Sequence, residues 1–305
     1  MKIIYEKNAD FKNKFNILLE NRSINTSSKI DSVVKKILYK IKNNGDDALV
    51  KLTNQLDKTN INKNDLLVSY SLINNYSKKI KPDIFKNFKI AIRRIKDFHK
   101  KQFPKNYSIN KKGIKLSSRW IPIQSVGLYV PGGAAPYPSS LIMNIIPAKI
   151  AGVKRIVVTS PSTKGKLNPY MMAILKLLDI REFYQVGGAQ AIAALAYGTK
   201  TIKPVDKIFG PGNSYVNSAK KQVFGKVGID LIAGPSEVLV VADKNNNADW
   251  VASDLMAQAE HDIMSKSILI TDNKTFAKNV KKSIDINIKN LSRSNIIKKS
   301  IKNYG

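Results

Sequence analysis

The sequence predicts an α/β protein with a mostly parallel sheet, and three observations carry that expectation. Short β-branched and aromatic runs alternate with apolar helical stretches from about residue 126 onward. The runs are too short for helices and too evenly spaced for an all-β fold, so they read as βαβ units. Glycine clusters follow the runs, as tight strand-to-helix turns require.

The elements follow in order. Residues 1 to about 110 read mainly as helices. "SSKIDSVVKKILYKI" opens with Ser27 and Ser28 as candidate N-caps and repeats apolar residues at helical spacing. "DIFKNFKIAIRRIKDFHKKQF", after Pro82, is a second amphipathic helix; His99 sits in its basic last turns, where a cation suits the helix dipole, and reads as solvated or capping. "GIKLSSRWIPIQSVGLYV" alternates like extended strands. "SVGLYV" with "SSLIMNIIPAKIAGV", "RIVVTSP" with "NPYMMAILKLLDI", "EFYQV" with "GGAQAIAALAYG" and "VDKIFG" with "NSYVNSAKKQVFG" are strand–helix pairs. "IDLIAGPSEVLVVAD" gives two more strands, "ADWVASDLMAQAEHD" a helix and "KSILITD" another strand.

Composition narrows the function classes. The chain has 305 residues, 43% of them hydrophobic, enough to bury a core. No apolar run approaches the roughly eighteen residues of a membrane span, and charges interrupt the first residues where a signal peptide would be apolar. With no cysteine, disulfides and thiolate metal sites are excluded. The expectation is a cytoplasmic protein. The net charge of +30 raises a nucleic-acid partner. The lysines are dispersed among Asn and Ile, as in AT-rich coding, and aromatic residues do not interleave with them. The charge therefore reads as background, with neither nucleic acid nor membrane as partner.

Ligands of parallel sheets bind at the carboxyl ends of the strands. Four candidate loops lie there: Pro131-Gly132-Gly133, Gly187-Gly188-Ala189-Gln190, Gly210-Pro211-Gly212-Asn213 and Gly234-Pro235-Ser236-Glu237. Each alone could be only a tight turn. Together, with a polar side chain just past the glycine in three of them, they suggest a ligand floor whose helix N–H groups could hold an anion. Neither a G-x-G-x-x-G fingerprint nor a Walker A sequence occurs, so any dinucleotide binds atypically.

A metal is the other question. On a helix, Gln258 and His261 would lie side by side, with Val251, Asp254, Leu255 and Asp262 on the same broad face and Glu260 elsewhere. An amide oxygen and an imidazole can both ligate zinc, but zinc takes about four ligands. Spacing alone leaves two readings open, a metal-binding pair and a helix-end histidine stabilised by the dipole.

"VGLYVPGGAAPYPSSLIMNIIPAKIAGV", "VGGAQAIAALAYGT", "VDKIFGPGNSYV", "IDLIAGPSEVLVVAD" and "DLMAQAEHD", in that order, resemble the histidinol dehydrogenase family. The resemblance runs from about residue 115 to 272; the N-terminal third is less distinctive. It implies an NAD-dependent, zinc-containing enzyme that oxidises L-histidinol through L-histidinal to L-histidine in two hydride transfers, ending histidine biosynthesis. It assigns Tyr129, Gln190 and Asn213 to NAD, Ser236, Gln258 and His261 to substrate, and Gln258 and His261 to Zn²⁺. It implies a homodimer whose sites borrow residues from the partner.

The fold implied is two Rossmann-like α/β domains with mostly parallel sheets plus a helical N-terminal segment. Residues 1–25 would be that segment, 26–128 with 236–305 a first, discontinuous domain, and 129–235 a second, NAD-binding domain. The family's small C-terminal domains have no counterpart here. A Glu-His catalytic pair and two further zinc ligands would lie beyond residue 305, so no catalytic residue is expected within this chain, and an exposed sheet edge and apolar face are expected in it. The alternative is an inactive NAD- or ligand-binding remnant or fragment.

Overall fold

The computed structural model describes residues 3–20, 28–132, 137–162, 165–232, 234 and 236–305. Ser27, Gly133 and Pro235 lie outside the described residues. The chain divides into two units, residues 1–25 with 234–305, and residues 26–233.

The elements in chain order begin with helices α1 (Phe11–Glu20), α2 (Ser28–Asp57), α3 (Tyr70–Ser77) and α4 (Pro82–Lys100). Strands β1 (Tyr107–Lys111), β2 (Ile114–Ser118) and β3 (Ser125–Tyr129) follow. Then come α5 (Pro138–Ile150), β4 (Arg155–Thr159), α6 (Pro169–Leu177), β5 (Glu182–Tyr184), α7 (Gly188–Tyr197), β6 (Lys207–Phe209), α8 (Ser214–Val223) and β7 (Gly228–Ile229). The last elements are β8 (Glu237–Val241), α9 (Ala248–Ala259), β9 (Lys266–Ile270), α10 (Lys274–Asn287) and α11 (Ser294–Tyr304).

The larger unit is an open sheet of five strands in the order β5-β4-β3-β6-β7, every pair parallel. The chain enters at the central strand β3, builds outward to β5, then returns to the other side through β6. The topological switch point therefore falls between β3 and β6, where parallel sheets open a crevice beyond their carboxyl ends. All five residues of β3 are buried, as expected for a strand covered on both faces. Their alternation sorts the core into layers. Tyr129 and Val157 pack with α2, α7 and α8. Val126, Leu128 and Val158 face α5 and α6, with α3 and part of α4 joining that layer. Gly127 lets α7 close on the sheet, because a Cβ there would lie 2.9 Å from Leu195. Residues 66–68 cover the outer edge of β5 through Val68 N–H to Phe183 O (2.9 Å) and Gln185 N–H to Leu66 O (3.1 Å).

The sequence placed 26–128 with 236–305; by contact, 26–128 groups with 129–233. The physical reason is that α2 supplies one helical layer of the five-stranded sheet and α3 and α4 join the other. Helix α2 runs through Gly45, whose φ of 51° and ψ of −129° break the helical geometry. Just past the break, Asp46 accepts both Thr201 N–H (3.0 Å) and Thr201 Oγ1–H (2.8 Å). Strands β1 and β2 form an antiparallel hairpin; β1 was not separately legible in the sequence, and residues 119–124, read as extended, belong to no strand. Of the two strands read in 229–243, the first is only Gly228–Ile229.

In the smaller unit, β8 and β9 pair in parallel. Helices α9, α10 and α11 bury one face around Leu255, Phe276, Val280 and Ile297. The other face carries Leu239, Val241 and Ile270, all more than half exposed.

Candidate functional site

The strand tips of the larger unit hold three of the six expected site residues. Tyr129 ends β3, Gln190 lies in the first turn of α7, and Asn213 is the N-cap of α8. Tyr129 and Asn213 thus flank the switch point between β3 and β6.

The glycine turns at these tips bring the loops against one another as much as against any ligand. A Cβ on Gly132 would lie 2.4 Å from Pro161, and one on Gly187 2.6 Å from the same proline. Gly210 has φ +128°, and a Cβ there would lie 1.9 Å from the Tyr129 carbonyl oxygen. The Gly210 turn is fixed by an ion pair, its lysine buried and its aspartate partly exposed, that sequence reasoning missed. Lys220, 1% exposed, donates from Nζ to Gly210 O (3.0 Å) and pairs with Asp230, while the Gly210 N–H donates to Asp230 Oδ2 (2.9 Å). A lysine ten residues past the turn, on the helix it opens, is the only sequence signal for this arrangement.

The first amides of α7 and α8 are engaged by the protein, which corrects the expectation that they stand free for an anion. The Asn213 Oδ1 accepts Tyr215 N–H and Val216 N–H, both at 3.1 Å, as an N-cap side chain does. At α7, Gly188 N–H donates to the Tyr129 hydroxyl oxygen at 3.2 Å. Burial pushes the Tyr129 phenol up to about 12, with Asp57 adding to the shift and the Gly188 hydrogen bond opposing it. Asp57, the last residue of α2, takes a hydrogen bond from Gly187 N–H.

Two side chains at the Gly187-Gly188 turn carry buried polar atoms without a partner. Gln190 is fully buried, and neither its Oε1 nor its Nε2 has a hydrogen-bond partner. Its Oε1 lies 2.5 Å from where a Cβ on Gly188 would be, so the amide folds over the Gly188 turn. Asp57 Oδ2 is likewise buried and without a partner. Buried polar groups are nearly always satisfied, so such clustering at strand tips points to a ligand.

The other three expected residues belong to the smaller unit. Ser236 is exposed and immediately precedes β8, at the amino end of that strand rather than at a carboxyl tip; its carbonyl accepts Lys266 N–H at 3.0 Å. Helix α9 stops at Ala259 with Glu260 as C-cap, so His261 lies past the helix, in an exposed turn where its N–H reaches Gln258 O at 3.2 Å. The side-by-side helical face expected for Gln258 and His261 is corrected accordingly. Val251 and Leu255 of that face are buried in the core, and Asp254 and Asp262 are exposed. Gln258 is half-buried, and its Nε2 has no partner. Because β8 and β9 begin at the same end of their sheet, Ser236 and the α9–β9 turn share that end. Among the described residues, no group of three His, Cys, Asp or Glu side chains could hold a metal.

An open parallel sheet whose strands end in glycine turns defines a doubly wound α/β protein, a class whose ligands bind beyond the strand tips. The particular family follows from comparison with known proteins. The histidinol dehydrogenase family model matches residues 20–305, and the chain belongs to that family of oxidoreductases. It is 46% identical over 298 residues to the histidinol dehydrogenase of Rhodospirillum rubrum, covering 97% of this chain and 68% of that protein. It is 45% identical over 303 residues to that of Nitrobacter winogradskyi, covering 99% of this chain and 70% of that protein. The crystal structure of histidinol dehydrogenase from Elizabethkingia anophelis superimposes with a TM-score of 0.87 at 33% identity, covering 98% of this chain and 68% of that chain. These relationships favour an enzyme over an inactive remnant. Among the described residues, no helix is long and apolar enough to cross a membrane.

Proposed function

We propose that this chain carries out the NAD-dependent oxidation of L-histidinol through L-histidinal to L-histidine, the last steps of histidine biosynthesis, as a cytoplasmic homodimer. The observation that carries the cofactor reading is the Gln190 amide, fully buried and unpartnered beside the Tyr129–Gly188 hydrogen bond. The residues present fit a dinucleotide, which when bound supplies the hydride acceptor. The Tyr129 hydroxyl oxygen is taken by Gly188, which leaves its proton to donate. Asn213 uses Oδ1 to cap α8, so its Nδ2 amino group is what it has to offer a ligand. Gln190 can both donate and accept.

In the smaller unit, Ser236, Gln258 and His261 would meet the substrate, with Gln258 and His261 also as zinc ligands. The Gln258 amide oxygen and the exposed imidazole three residues on would supply two donors, where zinc takes about four. Together they fit half of a zinc shell. Titration calorimetry with NAD⁺, followed by NADH formation on adding L-histidinol and zinc, tests the reading. Saturable NAD⁺ binding that weakens in Asn213→Ala supports it; absence of NAD⁺ binding by the unmodified chain sinks it.

A further inference from the structure

Asp57 stands in an electrostatically poor place. It ends α2, where the negative end of the helix dipole disfavours a carboxylate. It is half-buried at the start of α7, takes the Gly187 N–H, and lies close enough to the Tyr129 hydroxyl to act on its ionisation. Oδ2 is nevertheless buried with no hydrogen-bond partner. The turn it meets, Gly187-Gly188, also carries the two unpartnered atoms of the Gln190 amide, whose Oε1 folds over Gly188, and the Tyr129 hydroxyl, which has a proton to give. A negative acceptor already takes the N–H of Gly187, the residue before α7, and the Tyr129 hydroxyl takes that of Gly188, so this corner repels a phosphate. It suits a neutral group bearing hydroxyl donors, because a buried carboxylate oxygen gains most from a donor that it lacks.

We infer that Asp57 accepts a hydrogen bond from a ribose hydroxyl of the dinucleotide, with the Gln190 amide and Tyr129 hydroxyl completing the same subsite. This rests on the reading that the strand tips hold NAD⁺. The competing role is structural: Asp57 as a capping acid for α7.

Asp57→Asn separates the two, since asparagine keeps an oxygen for the Gly187 amide and replaces the ligand-facing acceptor with a donor. Titration of the purified chain with NAD⁺ should show the dissociation constant of Asp57→Asn raised about tenfold or more, the scale of a lost charged hydrogen bond. Its melting temperature should be unchanged or higher. An unchanged dissociation constant in Asp57→Asn, while Tyr129→Phe and Asn213→Ala weaken binding, would overturn the subsite and leave the cofactor reading standing. No NAD⁺ binding by the unmodified chain would overturn both.

Discussion

The Tyr129 hydroxyl accepts the backbone N–H of Gly188 at 3.2 Å, tying the tip of β3 to the first residue of α7 across an intervening strand. With its pKa pushed up to about 12 by burial, the phenol stays protonated throughout the physiological range. It can therefore accept from the backbone and donate to a ligand at once. Tyr129→Phe removes both functions. We expect a loss of about 1–2 kcal/mol in unfolding free energy from the stranded amide, together with weaker NAD⁺ binding. Urea unfolding and a binding titration read the two separately; a variant unchanged in both would refute the link.

Asp57 gives a pH signature. Burial raises its carboxyl from 3.8 to about 6, with the Gly187 amide pulling it back. The folded chain therefore binds a proton more tightly than the unfolded chain. The group's contribution is most favourable below 3.8 and is lost as pH rises through about 6. Allowing for solvent screening, the effect is on the order of 1 kcal/mol. The stability difference between Asp57→Asn and the unmodified chain should move toward the variant between pH 4 and 7 by roughly that amount. Parallel pH profiles would contradict this.

The Lys220–Asp230 pair should matter for stability out of proportion to its distance from any reacting atom. Asp230→Ala leaves a buried ammonium with only the Gly210 carbonyl, and removal of one member of such a pair costs about 3–5 kcal/mol. A loss below about 0.5 kcal/mol in chemical unfolding would place the pair among weak surface contacts.

Gly210→Ala forces a methyl into the Tyr129 carbonyl and requires φ +128° of an L-residue. Strain and overpacking together should cost about 2–6 kcal/mol. A variant of normal melting temperature would mean that the turn relaxes freely.

His261 offers the opposite test, because it is exposed and outside the helix. His261→Ala should change folding stability by no more than about 0.5 kcal/mol while weakening zinc uptake measured by competition with a chromogenic chelator. Equal zinc affinity in His261→Ala, Gln258→Ala and the unmodified chain would remove both from the metal.

The strand–helix alternation from residue 126 was legible because parallel strands buried on both faces are written as continuous apolar runs, and "SVGLYV" is one. That rhythm locates the glycine turns at the strand ends, whereas Tyr129 and Asn213 are singled out by family resemblance. The rest depended on contacts distant in sequence. Asp57 meets the Gly187 turn from the end of another helix, and no local pattern announces that. The turns read as empty anion cradles are occupied by Asn213 and by the Tyr129 hydroxyl, since a glycine marks close approach without naming what approaches. Helix α9 ended two residues before His261 because periodicity gives a helix its face more firmly than its boundary.

The Gly210 elbow is held at its amide by Asp230 and at its carbonyl by the buried Lys220, whether or not anything is bound. Such a receptor is preorganised: docking has little backbone freedom left to freeze there, so more of the contact energy survives as affinity. Loosening the Lys220–Asp230 anchor should then appear calorimetrically as a larger unfavourable entropy of NAD⁺ binding, although neither side chain need touch the nucleotide.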